Sequence, residues 1–159
     1  MNSAACIAQL NAVTGLDLKL NADEAVSFDY QGRQVLIRFL PDLNAFVFFV
    51  ELAVLEEAAV ATALPMLLDA NFLFSDTEGG SFSYDPESRM VGLNYLCSGS
   101  NSDEQVFINQ INRMLAAADT WVTRIHEFNE QAIALEVNRL AALRDGQNDQ
   151  PVNQPMLII

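Results

Sequence analysis

The run VSFDYQGRQVLIRFLPDLNAFVFFVELAVL, residues 26–55, carries the clearest structural signal in the chain. Apolar and polar residues alternate over residues 26–30 and again over residues 35–39, with the period of two that a half-buried β-strand requires. The pair Gln31-Gly32 between them predicts a hairpin turn, because Gly tolerates a positive φ. Residues 44–55 are apolar at nearly every position and predict a third strand with cover on both faces. The run therefore predicts a three-stranded meander.

Further elements are predicted on both sides of this meander. Apolar residues at helical spacing predict a first helix over residues 4–14. An Ala-, Leu- and Met-rich segment predicts a second helix over residues 57–73, which Pro65 kinks or delays because proline removes a backbone hydrogen bond. The turn Asp85-Pro86-Glu87-Ser88 separates two alternating runs and predicts a second hairpin.

A long helix is predicted from about residue 103 to residue 144. Its apolar residues recur at alternating steps of four and three, a seam suited to packing on a sheet or on another helix. The seam consists of Phe107, Ile111, Met114, Ala118, Trp121, Ile125, Phe128, Ala132 and Leu135. Such a helix is about 60 Å long, several times the radius of gyration of a domain of this size, so part of it should project or bend back. We expect one domain over residues 1–146 and a flexible tail over residues 147–159, with the apolar end Met156-Leu157-Ile158-Ile159.

Composition limits the partners. The 159 residues are 51% hydrophobic, which is enough for one folded domain with a substantial core. A net charge of −13 opposes binding to phosphate backbones and anionic membranes, so we expect no nucleic-acid and no membrane partner. The start of the chain has no signal-peptide pattern, and its two cysteines, Cys6 and Cys97, form no disulfide framework. These features favour the cytoplasm.

We find no residue pattern that predicts catalysis. The single histidine, His126, is next to Glu127, but no Ser or Cys lies in a motif that would make it a general base. Two cysteines and one histidine without close paired spacing do not predict a metal site. The pair Gly79-Gly80 precedes a strand, so it cannot present a helix N-terminus to a phosphate. We therefore expect no enzyme activity, no cofactor and no metal.

The meander has a second apolar face. Leu36, Val47 and Phe49 lie on it, and Arg38 and Glu51 interrupt it. Two explanations stay open: a second helix of the chain covers this face, or a partner chain does so through side-chain pockets and strand pairing.

The order helix, three strands, helix, two strands, helix in a small acidic chain resembles the class I type III secretion chaperones, the Tir chaperone (CesT) family. The most specific segment is LPMLLDANFLFSDTEGGSFSYDPESRMVGLNYL, residues 64–96. It resembles the family's helix end, hydrophobic pair, Gly-Gly loop and hairpin turn. The matching residues are Leu67, Leu68, Ala70, Asn71, Phe72, Leu73, Gly79, Gly80, Asp85, Pro86 and Glu87. The resemblance covers roughly residues 3–130.

This resemblance implies an α+β fold, with helices packed on a twisted, mainly antiparallel sheet, and a homodimer. It implies a non-enzymatic chaperone in the bacterial cytoplasm. Such a chaperone binds the N-terminal segment of one or more secreted effectors in extended form, keeps them soluble and delivers them to the secretion apparatus. It also makes the secretion ATPase a candidate partner.

The resemblance implies site residues as well, each of which could equally belong to the core of a monomer. For effector contact they are Ile7, Leu10, Val13, Leu36, Val47 and Phe49, with Arg38 as a polar anchor. For the dimer interface they are Val60, Leu64, Leu67, Leu68, Phe82 and Tyr84. The chain departs from the family pattern in its longer last helix and in Pro65. We hypothesise that the extra helix with its apolar tail covers the effector groove until an effector displaces it.

Three other functions are compatible with the sequence. An acidic mimic or adaptor that inhibits a basic partner should lose binding in high salt, whereas binding through apolar grooves should survive it. An enzyme that uses buried carboxylates should lose turnover when one Asp or Glu is replaced. A coiled-coil scaffold should dimerise through residues 107–135, and a truncation after Gly99 that stays dimeric would argue against it.

Overall fold

A computed structural model of the chain describes residues 2–74, 76–98 and 104–148, the last four of these by their backbone alone. The elements in chain order are α1 (Ser3–Thr14), β1 (Ala25–Tyr30), β2 (Arg33–Leu40), β3 (Ala45–Val54), α2 (Glu57–Ala70), β4 (Ser81–Asp85), β5 (Met90–Ser98) and α3 (Glu104–Asn148). The five strands form one antiparallel sheet in the order β1-β2-β3-β5-β4. The predicted α+β class and element order are confirmed.

The β1–β2 hairpin turns where the sequence predicts it. Gln31 and Gly32 have φ values of 54° and 79°, and two successive positive φ values suit a tight turn between twisted strands. Phe28 then pairs with Val35 across the hairpin. The β2–β3 connection is a 3₁₀ turn over Pro41–Leu43, and the second predicted hairpin is present as β4 and β5.

One face of β3 is buried and the other is open. Phe46, Phe48 and Val50 are fully buried, whereas Val47 and Phe49 on the opposite face are partly exposed. Leu36 and Leu96 pair with these two residues across β2 and β5, so they lie on the same face, and both are exposed. The predicted cover is present on the Phe46 side, and among the described residues no element of the chain covers the side of Val47 and Phe49.

Helix α2 ends earlier than predicted. It begins at Glu57 and contains Pro65, so the proline does not delay it. The helix stops at Ala70 rather than at residue 73, because Leu73 and Phe74 take positive φ values of 52° and 56° that no α-helix allows.

Helix α3 spans the inner face of the sheet and then continues past it. Its Phe107 ring packs against Phe46 and Phe48, with ring centres 4.7 and 5.3 Å apart. Burial along the helix ends at Asn129. The prediction of a long helix that projects is thus confirmed, and at 45 residues it is about 67 Å long.

The structure describes only the first part of the predicted tail. Residues 147 and 148 continue α3, whereas the tail was predicted to begin there. The predicted helix start at Asp103, residues 149–155 and the apolar end at residues 156–159 lie outside the described residues. None of the helices in the described ranges combines the length and apolarity needed to cross a membrane.

Candidate partner-binding surfaces

The residues predicted for effector contact fall on two sides of the sheet. Leu36, Arg38, Val47 and Phe49 share the open face, because Leu36 pairs with Phe49 and Arg38 with Val47. Ile7, Leu10 and Val13 lie on α1, which packs against α3 on the other side.

The three α1 residues do not share one environment. Ile7 and Leu10 are 4% and 2% exposed and belong to the core, whereas Val13 is 56% exposed. Burial leaves Ile7 out of reach of a partner in the closed fold, although Leu10 borders a crevice beside Val13. Ile7 therefore belongs to the core of the protomer, whereas Val13 is exposed enough to contact a partner.

The crevice beside Val13 lies between α1, the inner side of β1 and α3. It encloses about 290 Å³, and most of its lining is apolar: Leu10, Val13, Leu16, Phe28, Ile108, Ile111 and Leu115. Sequence reasoning missed the contributions of Phe28 and α3, because no spacing along the chain reports that α1, β1 and α3 converge.

A polar cluster fixes the hairpin next to this crevice. The Tyr30 hydroxyl donates to Asp119 Oδ2 at 3.2 Å, and the Arg33 guanidinium forms an ion pair with the same carboxylate. The Arg33 guanidinium carbon also lies 5.1 Å from the centre of the Tyr30 ring. Burial raises the pKa of Tyr30, and the charge of Asp119 raises it further. These contacts attach the β1–β2 turn to α3 and hold one wall of the crevice in place.

An asparagine closes part of each edge of the sheet. At the β4 edge, the Phe82 N–H donates to Asn71 Oδ1 at 2.7 Å, so a side chain of the same chain takes a donor that a further strand would need. At the other edge, β1 pairs only with β2 among the described strands, and Asn21 bonds the N–H and the carbonyl of Ala25, the first residue of β1. An extended segment can therefore add to the sheet along β1 after Ala25.

The open face is mostly apolar near its centre and polar near β4. The Phe49 ring lies over Gly92, where an added Cβ would fall 2.1 Å from Phe49 Cε2. Near β4, Asn94 donates to Ser83 Oγ at 2.9 Å. The apolar part of this face thus runs from Leu36 across β3 to Leu96.

Most of the residues predicted for the dimer interface serve the protomer core. Leu67 is 3% exposed. Val60, Leu64, Phe82 and Tyr84 are partly buried against the core, and the Phe82 ring packs edge-on against Trp121 at 4.6 Å. Leu68 alone of the six is exposed, at 68%.

Residues adjacent to the predicted interface residues are exposed instead. We call them the α2 surface, which consists of Ala58, Ala61, Thr62, Pro65, Met66, Leu68, Phe72, Leu73 and Phe74. Phe72, Leu73 and Phe74 have exposed fractions of 68%, 80% and 55%. Sequence reasoning missed Phe74 and Met66, although three apolar residues in a row just after a helix were a usable signal.

Two hydrogen-bonded contacts hold α2 antiparallel to α3. Asn129 donates to the Val54 carbonyl and accepts from the Glu56 N–H, both at 2.9 Å, at the start of α2. Trp121 Nε1 donates to the Asp76 carbonyl at 2.9 Å, beyond the end of α2. Because both ends of α2 are fixed, the α2 surface has a defined position on the protomer.

The polar residues that remain have structural roles. The Tyr95 hydroxyl donates to the Thr77 carbonyl, and Thr77 Oγ1 donates to the Gly80 carbonyl at 2.6 Å, which closes the loop before β4. His126 is exposed on α3. Across the described residues, no group of three or more His, Cys, Asp or Glu side chains is arranged to hold a metal ion.

Comparison with known protein families gives one match. The model of the Tir chaperone protein (CesT) family matches residues 5–122. No curated protein sequence matches the chain.

Several solved structures share the fold. The structure of the ExsC–ExsE complex superposes with a TM-score of 0.66 at 17% identity, covering 76% of this chain and 90% of the other. The Yersinia pestis type III secretion chaperone SycH, in complex with a fragment of YscM2, gives 0.60 at 12% identity over 75% and 98%. The heterodimeric ExoU–SpcU complex from the type III secretion system of Pseudomonas aeruginosa gives 0.57 at 18% identity over 78% and 97%. At these identities the likeness is one of fold.

Proposed function

The chain belongs to the Tir chaperone protein (CesT) family, and from that membership we propose that it is a homodimeric type III secretion chaperone in the bacterial cytoplasm. It binds the N-terminal segment of one or more effectors in extended form, keeps them soluble and delivers them to the secretion apparatus. It acts without catalysis, cofactor or metal, and the secretion ATPase is a candidate further partner. Its single domain extends at least to Asn148, where the described part of α3 ends.

One observation carries the binding mode: the open edge of β1 lies beside the apolar crevice under α1. A segment that pairs with β1 gains main-chain hydrogen bonds whatever its sequence. Its side chains alternate between the two faces of the sheet. One set of side chains enters the crevice beside Val13, and the other set lies on the open face, on the same side of the sheet as Leu36.

This arrangement gives both groups of predicted contact residues a use. Val13 and the neighbouring Leu16 receive one set of effector side chains, and Leu36, Val47 and Phe49 offer an apolar surface to the other set. Arg38, paired with Val47 on the open face, supplies a cation for an acidic or carbonyl group. Ile7 and Leu10 support the crevice from the core.

The acidic charge fits this role. A chaperone with exposed apolar surfaces needs charge elsewhere to stay soluble, and a net charge of −13 supplies it. Binding through apolar pockets and main-chain pairing should survive about 1 M salt, where the screening length is about 3 Å.

The test is capture of an effector segment. The protein is co-expressed with N-terminal segments of proteins encoded near it, purified, and its mass measured by light scattering in low and high salt. A complex that survives high salt supports the proposal. A complex that salt abolishes would favour the acidic mimic, and no complex with any segment would contradict the proposal.

A matched pair of variants locates the site. Val13→Glu places a charge at the mouth of the crevice and should weaken capture by roughly 10-fold or more. Leu43→Glu is the control, because Leu43 is 64% exposed in the turn between β2 and β3. Equal capture by both variants would remove the crevice from the site.

A further inference from the structure

Helix α3 continues beyond the part of the chain that matches the family. The family match ends at residue 122, and the last residue that α3 buries is Asn129. We call residues 132–143 the arm. Its large aliphatic side chains have exposed fractions between 46% and 71%: Ile133, Leu135, Val137, Leu140 and Leu143.

The arm is apolar around most of its circumference. At 100° per residue, Ile133, Val137 and Leu140 point to one side, Leu135 points to the opposite side, and Leu143 lies between the two. A helix with apolar residues on all sides is normally buried. Its sequence therefore requires a cover.

A groove beside the arm is suited to receive a helix. It encloses about 470 Å³ between α2 and α3. Its lining consists of Ala58, Thr62 and Met66 from α2 and of Phe128, Gln131, Ala132, Leu135, Glu136 and Arg139 from α3, so its charges lie on the α3 side alone. From residue 58 to residue 68, the outward residues of α2 carry no charge, although the chain has 21 acidic residues. Absence of charge at the centre of a patch is typical of an interface.

We propose that the arm of a second copy lies in this groove, so that two arms run side by side and each covers α2 of the other subunit. This inference rests on the homodimer of the proposed function and names the element that stabilises it. On the α2 side of the groove, Ala58 and Thr62 are small and leave room for the large aliphatic residues of the arm, and one chain carries both. A two-fold dimer needs such a self-complementary surface, because each copy must offer both halves.

Length and charge agree with this occupant. The arm is about 18 Å long and α2, with 14 residues, is about 21 Å long. Arg139 lies on the arm and Arg144 directly after it, and Glu56 and Glu57 lie at the start of α2. Within the protomer, Arg139 lies 3.5 Å from Glu136 and Glu57 lies 3.8 Å from Arg89, both in exposed ion pairs. Two copies of a chain with a net charge of −13 repel each other, and pairing these cations with these acids reduces that repulsion at the contact.

The test is the strength of the dimer without an effector. Leu140→Glu and Leu143→Glu are combined in the full chain; both positions are more than half exposed, so the protomer keeps its core. The control is Leu43→Glu, at 64% exposure in the turn between β2 and β3. The double variant should raise the dimer dissociation constant by about 100-fold and the control by less than about threefold, measured by sedimentation over a dilution series. A double variant that dimerises like the control would overturn the proposal.

Hydrogen exchange separates the other possible occupants. Arm amides should be protected only above the dimer dissociation constant. Protection that is independent of concentration, and lost when the chain is truncated after Asn148, would show that residues 149–159 cover the arm and would overturn the proposal. An arm double variant that keeps its dimer but loses effector capture would overturn it too, because the arm would then bind the effector.

The two proposals can fail separately. If no secreted segment is captured, the proposed chaperone function is contradicted, while the dimer measurement still tests the arm proposal. If the wild-type chain is monomeric at every concentration, the arm proposal fails, and capture by that monomer would still support the chaperone.

Discussion

On β3, both faces of the sheet carry apolar residues, yet the described part of the chain covers only one of the two faces. Phe48 and Phe49 are neighbours on β3. The ring of Phe48 packs against Phe107 of α3, whereas the ring of Phe49 lies over Gly92 on the open face. The difference shows that apolar alternation reports which residues need a cover, but not whether the same chain supplies it.

The largest expected difference in stability between the two faces is the one between variants of Phe48 and Phe49. Phe48→Ala should lower the free energy of unfolding by about 3–5 kcal/mol, because it leaves a cavity next to Phe107. Phe49→Ala should cost about 1 kcal/mol, because part of its ring is already in water. Denaturant titration at one fixed protein concentration measures both. Equal losses would mean that the open face is covered in solution.

A pair of asparagines extends the comparison to polar groups. Asn129→Ala should cost about 1–3 kcal/mol, because it leaves the Val54 carbonyl and the Glu56 N–H without their partner at a partly buried site. Asn94→Ala removes hydrogen bonds to Ser81 and Ser83 on the open face. Water can replace those, so its cost should stay below about 1 kcal/mol. Similar thermal melting temperatures for the two variants would contradict this difference.

A pair of glycines tests how much space each face of the sheet leaves for an added methyl group. In Gly80→Ala, the new Cβ would fall 2.5 Å from Tyr95 Cε2 and 2.9 Å from the Asn94 carbonyl oxygen, and that backbone oxygen cannot move aside. A loss of about 1–2 kcal/mol is expected. In Gly92→Ala the Phe49 ring can swing outward, so a smaller loss is expected. The order of the two unfolding midpoints in urea checks this, and the reverse order would show that the open face is the more rigid one.

The smallest effect concerns Tyr95 at high pH. Burial, followed by the charge of Glu78, raises the pKa of Tyr95 to about 12, whereas an unfolded tyrosine titrates near pH 10. The fold therefore favours the neutral phenol, and this stability is complete below about pH 10 and declines as the pH rises towards 12. Tyr95→Phe should flatten the decline measured by denaturant titration across that window. Parallel curves for the variant and the wild type would contradict this assignment.

Local signals predicted most of the fold. The β1–β2 turn follows from Gln31-Gly32, whose φ values are both positive. The turn before β5 follows from Asp85, whose carboxylate accepts from the Glu87 N–H and from Ser88 Oγ. These contacts span three residues or fewer, so the sequence states them directly. Hydrogen bonding from Ser88 also lowers the pKa of Asp85.

The candidate site could be predicted only in part, because its residues meet through tertiary packing. Leu67 and Leu68 are adjacent and equally apolar, but the direction in which α2 packs on α3 buries the first and exposes the second. The end of α2 depends on the positive φ of Leu73, a conformation that no local pattern requires of leucine. The crevice forms only where α1, β1 and α3 meet. The apolar pattern of residues 10–16 therefore gives no sign that Ile108 and Ile111 line the same crevice.

The Asn71 side chain at the β4 edge also limits how these molecules can polymerise. A sheet that accepts strands at both edges can join copy after copy without end and grow into a fibre. The Phe82 N–H is already taken by Asn71, and at the other edge the Asn21 side chain accepts from the Ala25 N–H while the Asn21 N–H donates to the Ala25 carbonyl. In the language of polymer chemistry, the two asparagines are partial chain stoppers: each shortens the run of backbone groups through which another copy could join, and this disfavours growth into a fibre at either edge.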